Sequence, residues 1–596
     1  MKKQINWNLD DLYKTEEFEK RLAEAEGELK KIDKWWKKTD AEMGGEEFKK
    51  LLIFLEGFSD KLAVLGGRPG LAEAVDQKDR EAKLQRAKIE ELGLRIADKT
   101  RKFDHWMKGL PVENKRTLDD KNAKRLFEVI ADLKYGLEKG REAAKHTLSQ
   151  KEERIIDYKD TFGIGPLNDL REMVVTEWDF DLRLGKKIRK IKTQSDLVAL
   201  VHSPKAEIRK AVYKALWQKY GENIDKLFLV YSNVVKDWGF EAKLRGYKSP
   251  INVRNFGNDI PDEAVETLME VCREKADVFR RYFKTKAKIL GLTKLSRWDV
   301  YAPMGTGVDK RINYSEAKEI VLENFGKFGP RFFEYAREII SKKHTDVFPR
   351  VNKRSGAFCA TISPKIAPYV MLNHTNKLRD VMTLAHELGH GVHSLFAQNH
   401  YPSAQHAGLP LAETASTLGE MVVFEEIYKN SDKKTRKALL VEKMADSYAT
   451  ILRQNYIVMF EKEAHEKIPG GIRVEELNKI YLDNLKEQFG GSVVVADDFK
   501  YEWAYVSHIF ETPFYCYAYN FGQLVSYYLY SRYKSEGKGF VKVIEKILGA
   551  GGSRDPDLVL KEVGIDMGDR NSWLSAFWVV EEWQKELENL EPDFPI

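Results

Sequence analysis

Apolar residues recur at helical spacing through nearly the whole chain. Ile89, Leu92, Ile96, Phe103 and Trp106 follow one another at steps of three, four, seven and three, which puts them on one face of a long amphipathic helix. A second run follows Pro261 and carries Val265, Leu268, Val271 and Val278, with the proline suited to a first helical position. Breaks are expected where glycine and proline cluster, at 66–70 (Gly-Gly-Arg-Pro-Gly), 163–166 (Gly-Ile-Gly-Pro) and 469–471 (Pro-Gly-Gly). Strand patterns are scarce. The best is 367–373 (Ala-Pro-Tyr-Val-Met-Leu-Asn), and the valines at 493–495 are a weaker one. The pattern predicts a mostly α protein with one small β-sheet, without internal repeats or low-complexity linkers.

At 596 residues the chain is past the size of a single core, so two or more lobes are expected. Residues 1–190 read as an N-terminal helical lobe of long charged helices without a chemical motif. Residues 191–596 hold everything that looks catalytic. Lys and Arg number 99 against 93 Asp and Glu, a net charge of +6 that is small for this length and gives no support for a nucleic-acid partner. The three cysteines, Cys272, Cys359 and Cys516, are odd in number and widely spaced, which suits neither a disulfide framework nor a cysteine metal site. The N-terminal segment MKKQINWNLDDLY has no apolar core of a signal peptide, and no stretch approaches the roughly 18 apolar residues of a membrane span. A reducing, cytoplasmic location and no membrane partner are the expectation. No feature bears on the oligomeric state.

The chemistry concentrates at 386–390, His-Glu-Leu-Gly-His. On a helix, positions i and i+4 share a face, so His386 and His390 can point their imidazoles at one zinc ion. Glu387 then lies beside the metal and can take a proton from the attacking water. Leu378, Val381, Met382, Leu384, Ala385 and Leu388 supply apolar faces, and Asn376 is the expected N-cap. Glu413 opens a second apolar-periodic helix (Leu411, Ala415, Leu418, Val422), where its carboxylate would complete a His₂Glu set and leave the fourth position open. Glu420, on the same face, is placed to accept a hydrogen bond from a ligating imidazole. His374, His393, His400 and His406 read as core histidines. The glycines at 549–552 lack the Lys-Ser/Thr of a phosphate loop and read as a turn between helices.

These motifs resemble the thimet-oligopeptidase-like metallopeptidases, and within them the bacterial oligoendopeptidase F branch. The likeness extends beyond HELGHGVHSLF and PLAETASTLGE to the opening WNLDDLY, the stretch 260–303, KRSGAF at 353–358 and GAGGS at 549–553, so it covers most of the chain. It implies a two-lobed, nearly all-helical zincin-type fold with a deep substrate channel. It also makes SHIFETPFYCYAYNFG readable, because family members use a histidine and following tyrosines here to donate hydrogen bonds to the oxyanion. His508, Tyr515 and Tyr519 are the candidates, with Tyr517 between the two tyrosines. Animal relatives carry a glycine-rich stretch where this chain has Phe-Glu-Thr-Pro-Phe at 510–514. Without the resemblance, such an aromatic cluster reads as core.

The expected function is therefore a zinc oligoendopeptidase acting on short peptides, with one Zn²⁺ per chain and Glu387 as general base. His508 and a tyrosine would bind the oxyanion, and the strand at 367–373 would pair with the substrate backbone. A zinc carboxypeptidase and a peptide-binding scaffold with a vestigial motif are the rival readings.

Overall fold

The structure is a computed structural model that describes residues 4–303 and 311–590. Met1, Lys2 and Lys3, which open the N-terminal segment MKKQINWNLDDLY, lie outside the described residues. The chain forms two compact units, each built from non-contiguous segments. One comprises 1–145, 309–427 and 532–564; the other comprises 146–308, 428–531 and 565–596. This division does not follow a single break near residue 190.

In the first unit, three long helices lead: α1 (Phe18–Lys38), α2 (Gly45–Val75) and α3 (Arg80–Met107). Leu92, Phe103 and Trp106 turn inward from α3, as the periodicity requires, and Asp79 caps its first turn by accepting the Ala82 N–H at 3.0 Å. The core they enter also contains Trp7, Phe48, Tyr369 and Met371. N-terminal helices and the strand beside the metal motif thus share one hydrophobic interior, which is why the unit is discontinuous in sequence.

The expected break at 66–70 does not occur. α2 runs through it with Pro69 inside the helix. Proline has no N–H for the carbonyl of Leu65, one turn earlier. The Tyr13 hydroxyl donates to that carbonyl instead, at 2.9 Å in a buried setting.

The unit also holds three short strands: β1 (Thr345–Asp346), β2 (Phe358–Ala360) and β3 (Tyr369–Met371). β3 pairs parallel to β1 and antiparallel to β2, so β3 is central and β2 is an edge. The strand expected at 367–373 exists, but both of its sides are occupied. It cannot take an added substrate strand. Helices α4 (Leu378–Phe396) and α5 (Thr414–Lys429) follow.

The second unit is also mainly helical. The run after Pro261 forms two helices, Asp262–Glu274 and Ala276–Ile289, with Pro261 as the N-cap of the first and Val278 in the second. The cluster at 163–166 bends no loop. A π-turn, Asp160–Ile164, joins Gln150–Lys159 to Gly165–Thr176. The break at 469–471 is present: α6 (Arg453–Lys467) ends in a 3₁₀ turn closed by Gly471 at φ 87°. α7 (Tyr517–Glu536) carries the last candidate tyrosines. Two further small sheets occur here, a hairpin of Phe180–Leu184 with Lys187–Ile191 and a parallel pair of Leu295–Ser296 with Val493–Val494. The described residues therefore hold three small sheets where one was expected. The two extra ones are a hairpin of charged residues and a pair too short to show a period.

Candidate active site

Helix α4 begins one residue later than its expected cap. Asn376 adopts φ 68°, and Lys377 is the cap, its N–H held by Asp380 Oδ2 at 2.9 Å. Val381, Leu384, Ala385 and Leu388 are buried, which leaves the half-buried His386 and His390 on a shared face. Their rings are 4.8 Å apart at 83°, with the two Nε2 atoms 3.2 Å from each other. Glu413 is the hinge residue between a short turn, Leu409–Ala412, and α5. Its Oε2 lies 3.6 Å from His386 Nε2 and 3.4 Å from His390 Nε2, and Ser416 Oγ donates to the same oxygen at 2.8 Å.

These separations fit a metal ion. Ligands about 2.0–2.1 Å from a tetrahedral zinc stand about 3.3 Å from one another. The observed triangle of 3.2, 3.4 and 3.6 Å is that of one tetrahedral face. Donor chemistry agrees. His386 Nδ1 lies 2.5 Å from Glu420 Oε1, and a carboxylate can only accept, so Nδ1 carries a proton and Nε2 is the nitrogen left to ligate. The other cluster of metal-ligand type among the described residues, Asp160, Asp237 and Glu241, is already bridged by Lys159 Nζ at 2.8, 2.6 and 3.5 Å.

Two glycines explain why the helices that carry these groups can meet. A Cβ on Gly389 would stand 2.5 Å from the Ala415 carbonyl oxygen and 2.6 Å from Ser416 Cα. A Cβ on Gly419 would stand 3.0 Å from the Ala385 carbonyl. The backbones of α4 and α5 touch at both places, which sets Glu413 and Glu420 on either side of His386.

Glu387 is buried at 7% exposure and faces a cleft of about 390 Å³. Phe358 and Cys359 of β2 line this cleft with His393 and His406. Burial pushes the Glu387 carboxyl up to about 7, against the opposing charge of His386 and with help from Glu413 and Glu420. Burial works against a charged His386, yet the Glu420 hydrogen bond and the surrounding carboxylates prevail and raise it to about 9. His390 is shifted downward, chiefly by burial. His393 and His406 were read as core, and both stand on the cleft wall. Burial, with His390 adding to it, drops His393 to about 3, so it is neutral. Nothing in the sequence marked it beyond its one-turn spacing from His390. His374 and His400 do have structural bonds, to the carbonyls of Ile312 at 3.1 Å and Gly549 at 2.7 Å.

In the second unit, His508 Nε2 lies 3.1 Å from the Tyr519 hydroxyl. The His508 and Tyr515 rings are parallel at 6.2 Å, and Tyr515 meets Tyr519 edge-on at 5.4 Å. Burial shifts His508 downward, toward the neutral imidazole. Tyr517 differs from its neighbours. It is fully buried, and Asn258 Nδ2 donates to its hydroxyl at 2.8 Å.

Comparison with known proteins agrees with this arrangement. The model of Peptidase family M3 matches residues 199–578, which include every residue of both groups. The chain belongs to peptidase family M3. It is a metallo-oligopeptidase, a hydrolase whose substrates are peptides. An oligoendopeptidase F homolog of Lactococcus lactis is 28% identical over 98% of this chain and 97% of its own length. The group B oligopeptidase PepB of Streptococcus agalactiae is 30% identical over 75% of this chain and 74% of its own length. Solved structures share the fold. A Chlamydophila abortus chain superposes with a TM-score of 0.85 at 23% identity, covering 98% of both chains. The oligoendopeptidase-F of Enterococcus faecium gives 0.71 at 21% identity, over 96% of this chain and 99% of its own. M3 membership implies a metal ion, and the donor triangle on α4 and α5 is suited to one. Among the described residues no helix is long and apolar enough to cross a membrane.

Proposed function

We propose that this M3 enzyme is a zinc-dependent oligoendopeptidase that cuts internal bonds of short, unfolded peptides. His386, His390 and Glu413 hold one Zn²⁺ per chain, and Glu387 is the general base. The observation that carries this reading is the donor triangle of 3.2, 3.4 and 3.6 Å, the spacing that three ligands of one zinc ion would have. When bound, the ion supplies Lewis acidity to the scissile carbonyl and to the attacking water. Glu387, next in sequence to a ligand and buried on the cleft wall, takes the water proton and delivers it to the leaving amine. Glu420 keeps His386 in the tautomer that can ligate.

His508 and at least one of Tyr515 and Tyr519 donate hydrogen bonds to the oxyanion as charge develops on it. The pairing of phenol and imidazole at 3.1 Å supports this assignment. Tyr517, buried and bonded to Asn258, is left out of it. The substrate backbone pairs with β2, the edge strand whose Phe358 and Cys359 line the cleft beside Glu387. Recognition through backbone hydrogen bonds makes little demand on sequence and needs an extended chain, which a stable folded protein does not offer. The relatives named as oligopeptidases support the same selectivity. An odd set of three widely separated cysteines supports a reducing, cytoplasmic setting.

The test is a mixed pool of peptides of about 5 to 20 residues, a span set by the reach of an extended chain, offered together with a stably folded protein. Mass spectrometry should find internal cuts in the peptides and an intact protein. Cleavage of the folded protein at comparable rates would remove selection by unfolded length.

A further inference from the structure

The segment between His508 and α7 is built on a strained turn. Tyr515 N–H donates to the Thr512 carbonyl at 3.1 Å, closing a β-turn with Pro513 in its second position and Phe514 in its third. Phe514 has φ 61°. A positive φ after proline is the type II arrangement, whose third position normally belongs to glycine or asparagine. Phenylalanine gains nothing there from its own side chain, so the surroundings must hold it.

They do so at both ends of one peptide plane. Arg254 Nε donates to the Pro513 carbonyl at 3.1 Å. On the other side the Phe514 N–H donates to Glu461 Oε1 at 2.8 Å. Rotating the Pro513–Phe514 peptide by half a turn is what converts a type II turn into type I, and that rotation breaks both bonds together. The Phe514 ring is only 1% exposed and rests on His465 at 4.5 Å, one turn after Glu461 on α6. Glu461 itself is fully buried. Burial raises its carboxyl to about 8, with the Phe514 N–H and Arg254 opposing. A buried carboxyl group is costly to retain unless it makes such a bond. Tyr515 leaves the chain immediately after the gripped peptide, and its ring lies parallel to that of His508.

We propose that Glu461 and Arg254 are positioning residues for the oxyanion donors, clamping the Pro513–Phe514 peptide so that Tyr515 and His508 keep their mutual geometry. This rests on the reading of His508, Tyr515 and Tyr519 as donors. Neither clamp residue touches a reacting atom; each acts through the turn.

Steady-state kinetics on metal-loaded, full-length variants test the proposal, with zinc content and melting temperature measured alongside. Glu461→Leu removes the acceptor and should lower kcat about 10- to 100-fold with KM changed less than about threefold, because the loss is in the transition state. Glu461→Gln keeps an acceptor oxygen and should stay within about threefold of the parent. In a Tyr515→Phe/Tyr519→Phe background, Glu461→Leu should cost less than about threefold more, since coupled groups do not add. Should Glu461→Leu fail to fold, Arg254→Met releases the other end of the same peptide and is expected to show the same pattern. A folded, zinc-loaded Glu461→Leu or Arg254→Met with parental kcat overturns the clamp. So does a loss that multiplies fully in the tyrosine background. Parental kcat in the tyrosine variants themselves overturns the donor reading, and the clamp with it. If only the tyrosine variants lose rate, the donor reading stands and the clamp alone falls.

Discussion

The two proposed chemical groups of this enzyme are built in opposite ways. In the first unit, His386, Glu387 and His390 project from an unbroken helix, and Glu413 stands at the mouth of the next one. Their geometry follows from the helical period and from two glycines, Gly389 and Gly419, that let the backbones touch. In the second unit, His508 sits on a single helical turn, and Tyr515 follows a residue forced to φ 61°. Arg254 and Glu461, more than fifty residues from the turn in sequence, hold that conformation. One group is placed by regular secondary structure. The other is placed by tertiary contacts, and it carries strain.

The contrast has consequences that mutation can separate. The largest is at Glu387. Glu387→Gln should keep one zinc per chain and lose on the order of 10² to 10⁴ in kcat, because only proton transfer is removed. A near-parental kcat would take the base role away from it.

Next is the aromatic group. His508→Ala should lower kcat by roughly 10- to 10³-fold, with zinc content unchanged and KM little affected, as expected for a lost oxyanion donor. A rise in KM at constant kcat would show that His508 only binds substrate.

The smallest effect probes the helix contact. Gly389→Ala puts a methyl 2.5 Å from the Ala415 carbonyl, so α4 and α5 must part. We expect a loss of about 1–3 kcal/mol in stability, and a zinc affinity weaker than the parent's. Calorimetry and metal titration check both. If neither changes, close approach is not what sets the donor triangle.

Much of the first group could be read from the sequence, and the reason is local. An i, i+4 pair of histidines, a glutamate beside the first, and a further glutamate at the start of an apolar-periodic stretch need only the helical repeat to be interpreted. The close meeting of the helices at Gly389 was not legible, since a glycine does not announce what approaches it. Position within the sheet was hidden for a similar reason. The pattern over 367–373 predicts a strand, but the partners it finds are two and three residues long and carry no pattern, so the central place of β3 and the edge position of β2 appear only in the structure. At Pro69 the local rule was overridden by the hydroxyl of Tyr13, which serves the carbonyl the proline leaves open. The turn at Phe514 lies at the far end of this scale. Thr-Pro-Phe contains no glycine to suggest a positive φ, and the clamp that allows it comes from two other helices.

The central claim is that the triangle of His386, His390 and Glu413 holds the zinc on which endopeptidase activity depends. Its most direct test measures bound zinc and turnover of internally quenched peptides, blocked at both ends, for the parent and His390→Ala in parallel. The parent should carry one zinc per chain, lose cleavage on chelation and regain it on adding zinc, while His390→Ala should lack both metal and cleavage. His390→Ala with one zinc per chain and parental turnover, or a parent that keeps cutting after its metal is stripped, would contradict the account.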